Sequence, residues 1–240
     1  MDSAIGFITI SALLYPILLG LIRKAGKKIG LSKEAINKQS FSIAGALVIW
    51  GLYVGLLSRY GIFEDTSVPP KIPFVTFIPL MFLFYFLYRK LKGNQQLNAI
   101  PLPWFFGIQS FRIAVELIIV VAITEGILPE SAGMDGYNLD VLVGISGLAL
   151  GLHFVKKPPQ SYFWLKVWNL WGIAMIFVVA AIIVTSYYQP QLWNASKTLV
   201  HPNFFKYPHL LLPLFLAPTA IFLHFMTLRK LNDLGKKNLN

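Results

Sequence analysis

Cysteine is absent from the 240 residues, which excludes disulfides, thiolate nucleophiles, iron–sulfur clusters and cysteine zinc sites. Charge is scarce too, at 13% of residues, and acid is scarcer still, with 10 Asp and Glu against 21 Lys and Arg. A chain with so few charges, 56% hydrophobic residues and a mean hydropathy of +0.63 does not suit an ordinary soluble domain. Paired Asp motifs and a His-x-x-Glu-His signature are also missing, which counts against the commoner membrane-embedded hydrolases and metalloenzymes. Met1-Asp2-Ser3 lacks the positive n-region of a signal peptide, and Ser11 to Ile22 shows no small-residue cleavage site, so the first apolar stretch reads as a retained helix.

What is present is long apolar runs. A helix crosses a hydrocarbon core of about 30 Å with roughly 20 apolar residues. Seven such stretches are read at 4–22, 41–58, 72–88, 105–127, 139–155, 164–187 and 205–228. The expectation is an all-α, polytopic membrane bundle of seven transmembrane helices, a single domain over 1–240, in the cell membrane of a bacterium and without room for a soluble domain between spans. Tyr60, Trp104, Trp164, Tyr187 and Tyr188 near span ends fit interfacial anchors.

The sidedness of the charge orients the bundle. The segments after spans one, three and five and the C-terminal tail hold 16 basic residues against Glu34 and Asp233, a net of +14. The alternate segments hold Arg59, Lys71, Lys197 and Lys206 against seven acids, a net of −3, and Arg112 with Glu116 cancels within the membrane. Lys and Arg mark the cytoplasmic face, so the N-terminus is expected outside and the C-terminus in the cytoplasm. The net charge of +11 is thereby a topology signal, with anionic lipid contact as a side effect, and no nucleic-acid partner is implied.

Within the spans, small residues at helical spacing, Gly51 with Gly55 and Gly144 with Gly147 and Gly151, predict close helix packing. Pro79 is expected to bend the third span, Pro213 and Pro218 to kink the seventh and free carbonyls near Leu214, and Pro69 with Pro70 to form a short outer turn. The Pro-Gln pairs at 159–160 and 190–191 are similar to those of PQ-loop transporters, yet both fall in predicted loops.

The residues able to carry chemistry are few. Gln109, Arg112 and Glu116 share one face of the fourth span, Arg112 about 10 Å and Glu116 about 16 Å from its inner end at 1.5 Å per residue. Charges at that depth cost several kcal/mol unless paired; Arg112 and Glu116 can pair directly and are expected to form a proton or small-solute site in which Glu116 titrates and Arg112 holds an anion or biases the carboxylate. A packing pair is the competing reading. Asn169 in the sixth span, about 8 Å from the inner face, joins that layer if the helices are neighbours. Glu130, Asp135 and Asp140, with Glu125 and Asn138, crowd the link between spans four and five, where a hard-cation site competes with a solvated acidic turn and with N-capping of the fifth span. His153 and His224 fall at similar depth near the inner ends of spans five and seven, as a haem or metal pair would. His201 and His209 lie on the outer side, where histidine titrates near neutral pH.

A retinal protein is excluded because residues 207–228 contain no lysine, and a G-protein-coupled receptor because the seventh span lacks Asn-Pro-x-x-Tyr. The stretch from Pro101 to Gly147 carries a Gln-x-x-Arg-x-x-x-Glu helix, then Gly126-Ile127-Leu128-Pro129, then Gly136-x-Asn138-x-Asp140. In this it resembles a family of bacterial multi-pass membrane proteins without an assigned role, which implies a bacterial envelope protein and transfers no activity. Three functions stay open: a transporter-like or ligand-sensing bundle working through Arg112 and Glu116, a membrane enzyme acting on lipid or isoprenoid through His153, His224 or Asn169, and an accessory or assembly subunit with no site of its own. Cofactor and oligomeric state are not legible.

Overall fold

The computed structural model describes residues 2–65, 72–91 and 94–237. Pro69, Pro70, Lys71 and Lys92 lie outside the described residues. Every regular element among the described residues is helical: α1 (Ser3–Lys28), α2 (Lys33–Arg59), α3 (Ile72–Lys90), α4 (Asn94–Ala99), α5 (Leu102–Gly107), α6 (Phe111–Thr124), α7 (Asp140–Lys156), α8 (Phe163–Tyr188) and α9 (Ala217–Lys237), with short 3₁₀ turns between them. Among the described residues five helical segments are long and apolar enough to cross a membrane: Ser3–Lys28, Lys33–Arg59, Leu102–Thr124, Phe163–Tyr188 and Leu212–Lys236. This is the make-up of an integral membrane protein. The other two stretches expected to span form helices of 19 residues (α3) and 17 residues (α7).

Helix ends differ from the apolar counts where charge is involved. The basic segment expected to be an 18-residue loop after the first span is mostly helical, because Lys and Arg are good helix formers once the apolar run has nucleated the helix. Only residues 29–32 separate α1 from α2, with Gly30 at φ +78° and the Ser32 hydroxyl accepting from Ala35 N–H to cap α2. The seventh helix is displaced the other way. Residues 202–205 form a 3₁₀ turn, a π-helical turn at Leu212–Leu216 follows with Pro213 near its start, and α9 runs on through the basic residues to Lys237. Pro79 sits inside α3 without breaking it.

Two compact units make up the chain, Met1–Ser11 with Leu102–Asn240, and Ala12–Pro101. In the first, α7 packs along α5 and α6, α8 along α9, and α7 against α8. Glycines explain the closeness. A Cβ on Gly144 would meet Ile113 at 2.8 Å, one on Gly147 the Phe106 carbonyl at 2.9 Å, and one on Gly151 the backbone of Gly107 at 2.8 Å. These three are packing residues within the chain, as expected. Gly55 has open space where its Cβ would lie, so the corresponding expectation for α2 does not hold at that position. Phe106, Leu165 and Leu231 close the core at the far end of these helices, under Phe154 and Trp168.

In the second unit, a reciprocal amide pair joins Gln39 of α2 to Gln96 of α4 at 2.7 and 2.9 Å. Gln39 Nε2 also donates to the carbonyl of Lys90, and Gln96 Nε2 donates to the carbonyl of Ile22 at 2.9 Å. Arg23 reaches from α1 to Ser40 and Asn37 of α2. The end of α1, the start of α2 and the end of α3 are thereby tied together. Farther along α2, the Tyr53 hydroxyl donates to the Val75 carbonyl of α3.

Candidate functional site

The polar interior of the larger unit is built around Arg112. It sits on α6, is 2% exposed, and its carboxylate partner is Asp140, the first residue of α7, not Glu116 one helical turn away. Nε donates to Asp140 Oδ2 at 2.8 Å and Nη2 to Asp140 Oδ1, the two-point geometry that matches a guanidinium to a carboxylate. The expected Arg112–Glu116 pair is therefore replaced. The close approach of α6 and α7 at Gly144 brings the start of α7 within reach of the long arginine side chain, and the fork offers Asp140 two parallel bonds.

Arg112 also reaches α8 and α9. Nη2 donates to the Gly172 carbonyl of α8 at 3.0 Å, and Nη1 lies 2.8 Å from His224 Nε2 of α9. Arginine has no acceptor, so Nε2 of His224 must present its lone pair, which puts the ring proton on Nδ1. That proton points at Asn169 Oδ1, 2.8 Å away, and Asn169 Nδ2 donates to the Leu165 carbonyl at 2.7 Å. Asn169 thus joins the Arg112 layer as expected, through His224. Trp168 lies against the imidazole with ring centroids 5.5 Å apart, its indole N–H held by Ser146 Oγ at 2.9 Å. Gly172 makes room for the ring, since a Cβ there would overlap the imidazole.

Glu116 on α6 and Gln109, in the 3₁₀ turn just before α6, flank this clamp. Glu116 is 1% exposed; Oε2 accepts from Asn138 Nδ2 at 2.6 Å, and Oε1 has no hydrogen-bond partner. Asn138 also donates to the Ala132 carbonyl at 2.9 Å and accepts from the Asp140 N–H at 2.9 Å, so it links Glu116 to the residue that holds Arg112. The expected capping of the fifth span comes from Asn138 alone, because the Asp140 side chain is spent on Arg112. Gln109 is buried, its Nε2 reaches the Ala220 carbonyl at 3.5 Å, and its Oε1 also has no partner.

Other expected sites are not assembled. Glu130 and Asp135 are exposed and Asp140 is committed, and among the described residues no group of three or more His, Asp or Glu is placed to hold a metal ion. Of the two histidines expected as a haem or metal pair, His224 has both nitrogens in hydrogen bonds, while His153 is exposed beside Phe154.

A second polar cluster went unread in the sequence. Glu125, one residue past α6, accepts from Ser3 N–H at 3.1 Å and from the Ser3 hydroxyl, so a carboxylate caps the positive end of α1. Gly126 at φ +69° ends α6 there, with Gly126 N–H donating to Ile123 and Ile127 N–H to Ala122, the left-handed helix stop that favours glycine. Ser3 Oγ lies 3.0 Å from His209 Nε2, and Phe7 meets the same ring edge-on. Burial pushes His209 below the usual histidine value of 6.5, opposed by Glu125, Asp2 and the Asn203 backbone. No helical spacing connects residues 3, 125 and 209, so only the fold reveals them.

No protein family, curated protein or solved structure matches this chain.

Proposed function

We propose that this chain is a proton-linked, transporter-like bundle of seven transmembrane helices in a bacterial inner membrane, N-terminus outside and C-terminus cytoplasmic, with Glu116 as its working group. The orientation rests on the alternation of +14 and −3 along the sequence, and the crossing count on α3 and α7 spanning with the five longer segments.

The observation that carries the functional reading is the free oxygen of Glu116. Two acids, buried Glu116 and nearly buried Asp140, stand in a cluster with one guanidinium, and its two carboxylate bonds both go to Asp140. With both acids ionised the cluster is one positive charge short, and a proton or a small cation is what balances it. The unpartnered oxygen on Gln109 is likewise an acceptor. Unmet acceptors call for a donor or a cation, and Arg112 has too little of its fork left to hold an anion. Arg112, Asp140, His224 and Asn169 are accordingly a packing clamp, and Glu116 is the group that changes state. An enzyme using His224 and Asn169 has less support, because those two side chains are spent on each other.

Reconstitution into liposomes with an entrapped pH-sensitive dye tests this. Wild type is expected to carry protons or to couple them to a solute gradient, and Glu116→Gln to lose at least tenfold of that flux while folding normally. Equal flux in the two proteins, or none from wild type across a panel of small solutes, would overturn the reading.

A further inference from the structure

In the smaller unit the Gln39–Gln96 pair ties α1 at Ile22, α2 at Gln39 and α3 at its last residue, Lys90, within about two turns of where α1 ends and α2 begins. The consequence is electrostatic. Lys24, Lys27 and Lys28 leave α1 at this level, Lys33 and Lys38 enter α2, and Arg89 stands at the end of α3, all six exposed. Glu34 is the acid set among them on α2. Arg23, by contrast, is turned inward and spent on Asn37 and Ser40, so it fastens the two helices without contributing to the rim.

Immediately beyond the rim the same helices expose large apolar side chains. Phe41, three residues from Lys38, is 77% exposed, Ile17 on α1 is 46% and Phe82 on α3 is 70%. Faces of that kind belong in hydrocarbon, and a lysine stem running from such a face carries its ammonium outward to the headgroup level. Arg89 and Lys90 already lie over Tyr85 and Phe86 of their own helix, guanidinium carbon to ring centroid 6.0 Å and ammonium to ring centroid 5.0 Å, as amphipathic cations do at an interface.

We propose that this rim, Lys24, Lys27, Lys28, Lys33, Lys38 and Arg89, is a binding surface for the phosphate headgroups of anionic phospholipids. Clusters of four to eight cations beside an apolar helical face attract such lipids within a Debye length of the surface. The first turn of α2, capped by Ser32, adds the positive end of its helix dipole. A topology signal requires only that the lysines be present in the segment. Their convergence from three helices onto one level, held by buried glutamines, is the additional feature that a headgroup surface uses. This inference stands apart from the Glu116 site, since every residue in it belongs to the other unit.

The test uses purified full-length protein in a neutral detergent, titrated with phosphatidylglycerol or with phosphatidylcholine in the same micelles, reading Tm. Phosphatidylglycerol is expected to raise Tm saturably and phosphatidylcholine to leave it unchanged. Lys24→Gln/Lys27→Gln/Lys28→Gln should need at least tenfold more phosphatidylglycerol for half effect. The matching Lys→Arg triple should behave as wild type, as should Lys156→Gln/Lys157→Gln. Inorganic phosphate alone should not reproduce the shift. Should the glutamine triple fail to fold, the wild-type protein decides the matter, because 1 M NaCl must abolish the phosphatidylglycerol effect. A shift equal for both lipids, one indifferent to salt, or one unchanged in the glutamine triple would overturn the proposal.

Discussion

Arg112 and Asp140 stand 28 residues apart in the sequence and join α6 to α7 by two parallel bonds, from Nε and Nη2 to the two carboxylate oxygens. The pair is also where α8 and α9 attach, through Gly172 and His224. Removing one partner of a buried ion pair leaves an uncompensated charge and costs about 3–5 kcal/mol. Asp140→Asn and Arg112→Gln are therefore expected to lower Tm in detergent by roughly 10 °C. The double variant Arg112→Met/Asp140→Leu should recover most of that loss. A double variant as unstable as the sum of the singles would show that the pair does more than balance charge.

Gly151 tests the helix approach that sets up this site. Its Cβ would meet backbone atoms of Gly107, which have no side chain to rotate away. Gly151→Ala should destabilise by about 1–3 kcal/mol, whereas Gly55→Ala, with open space around it, should be neutral or slightly stabilising through helix propensity. Comparing the two Tm values checks this.

The all-helical character was legible because apolar length reports it directly, and Arg112, Glu116 and Asn169 are all buried, as polar groups inside apolar helices were expected to be. Pairing was not legible. Asp140 read as one acid among several in a solvated turn, since nothing local says that the long Arg112 side chain prefers an acid on the next helix to one on its own. The basic segment after the first span read as loop because hydropathy falls where lysine begins, although lysine continues a helix readily. The Ser3, Glu125 and His209 cluster joins three distant segments and leaves no periodic trace at all.

His209 provides the pH dependence. Its value is lowered in the folded protein, mainly by burial. The unfolded chain therefore binds the proton more readily, and stability falls as pH drops from the ordinary histidine value near 6.5 toward the lower folded value. The Tm of wild type should thus decline between pH 7.5 and pH 5, and His209→Gln, which keeps a hydrogen-bonding partner for Ser3 and does not titrate, should decline less. Equal declines would remove His209 from the account.

His224 presents one lone pair to Arg112 and one N–H to Asn169, leaving no nitrogen for a metal. Added haem should produce no histidine-ligated Soret band with the purified protein. His224→Ala, which orphans a buried guanidinium N–H, should cost about 1–3 kcal/mol. A haem spectrum that His224→Ala abolished would contradict the hydrogen-bonded tautomer assigned here.

The central claim is that Glu116, with one oxygen on Asn138 and the other unmet, is the group that exchanges a proton with the surroundings. The most direct measurement is the infrared difference spectrum of the reconstituted protein between two pH values, which reads the carboxyl and carboxylate stretches of titrating side chains. A buried-carboxyl signal is expected in wild type and in Asn169→Ala, and none in Glu116→Gln. A spectrum that is the same in wild type and Glu116→Gln would contradict the account.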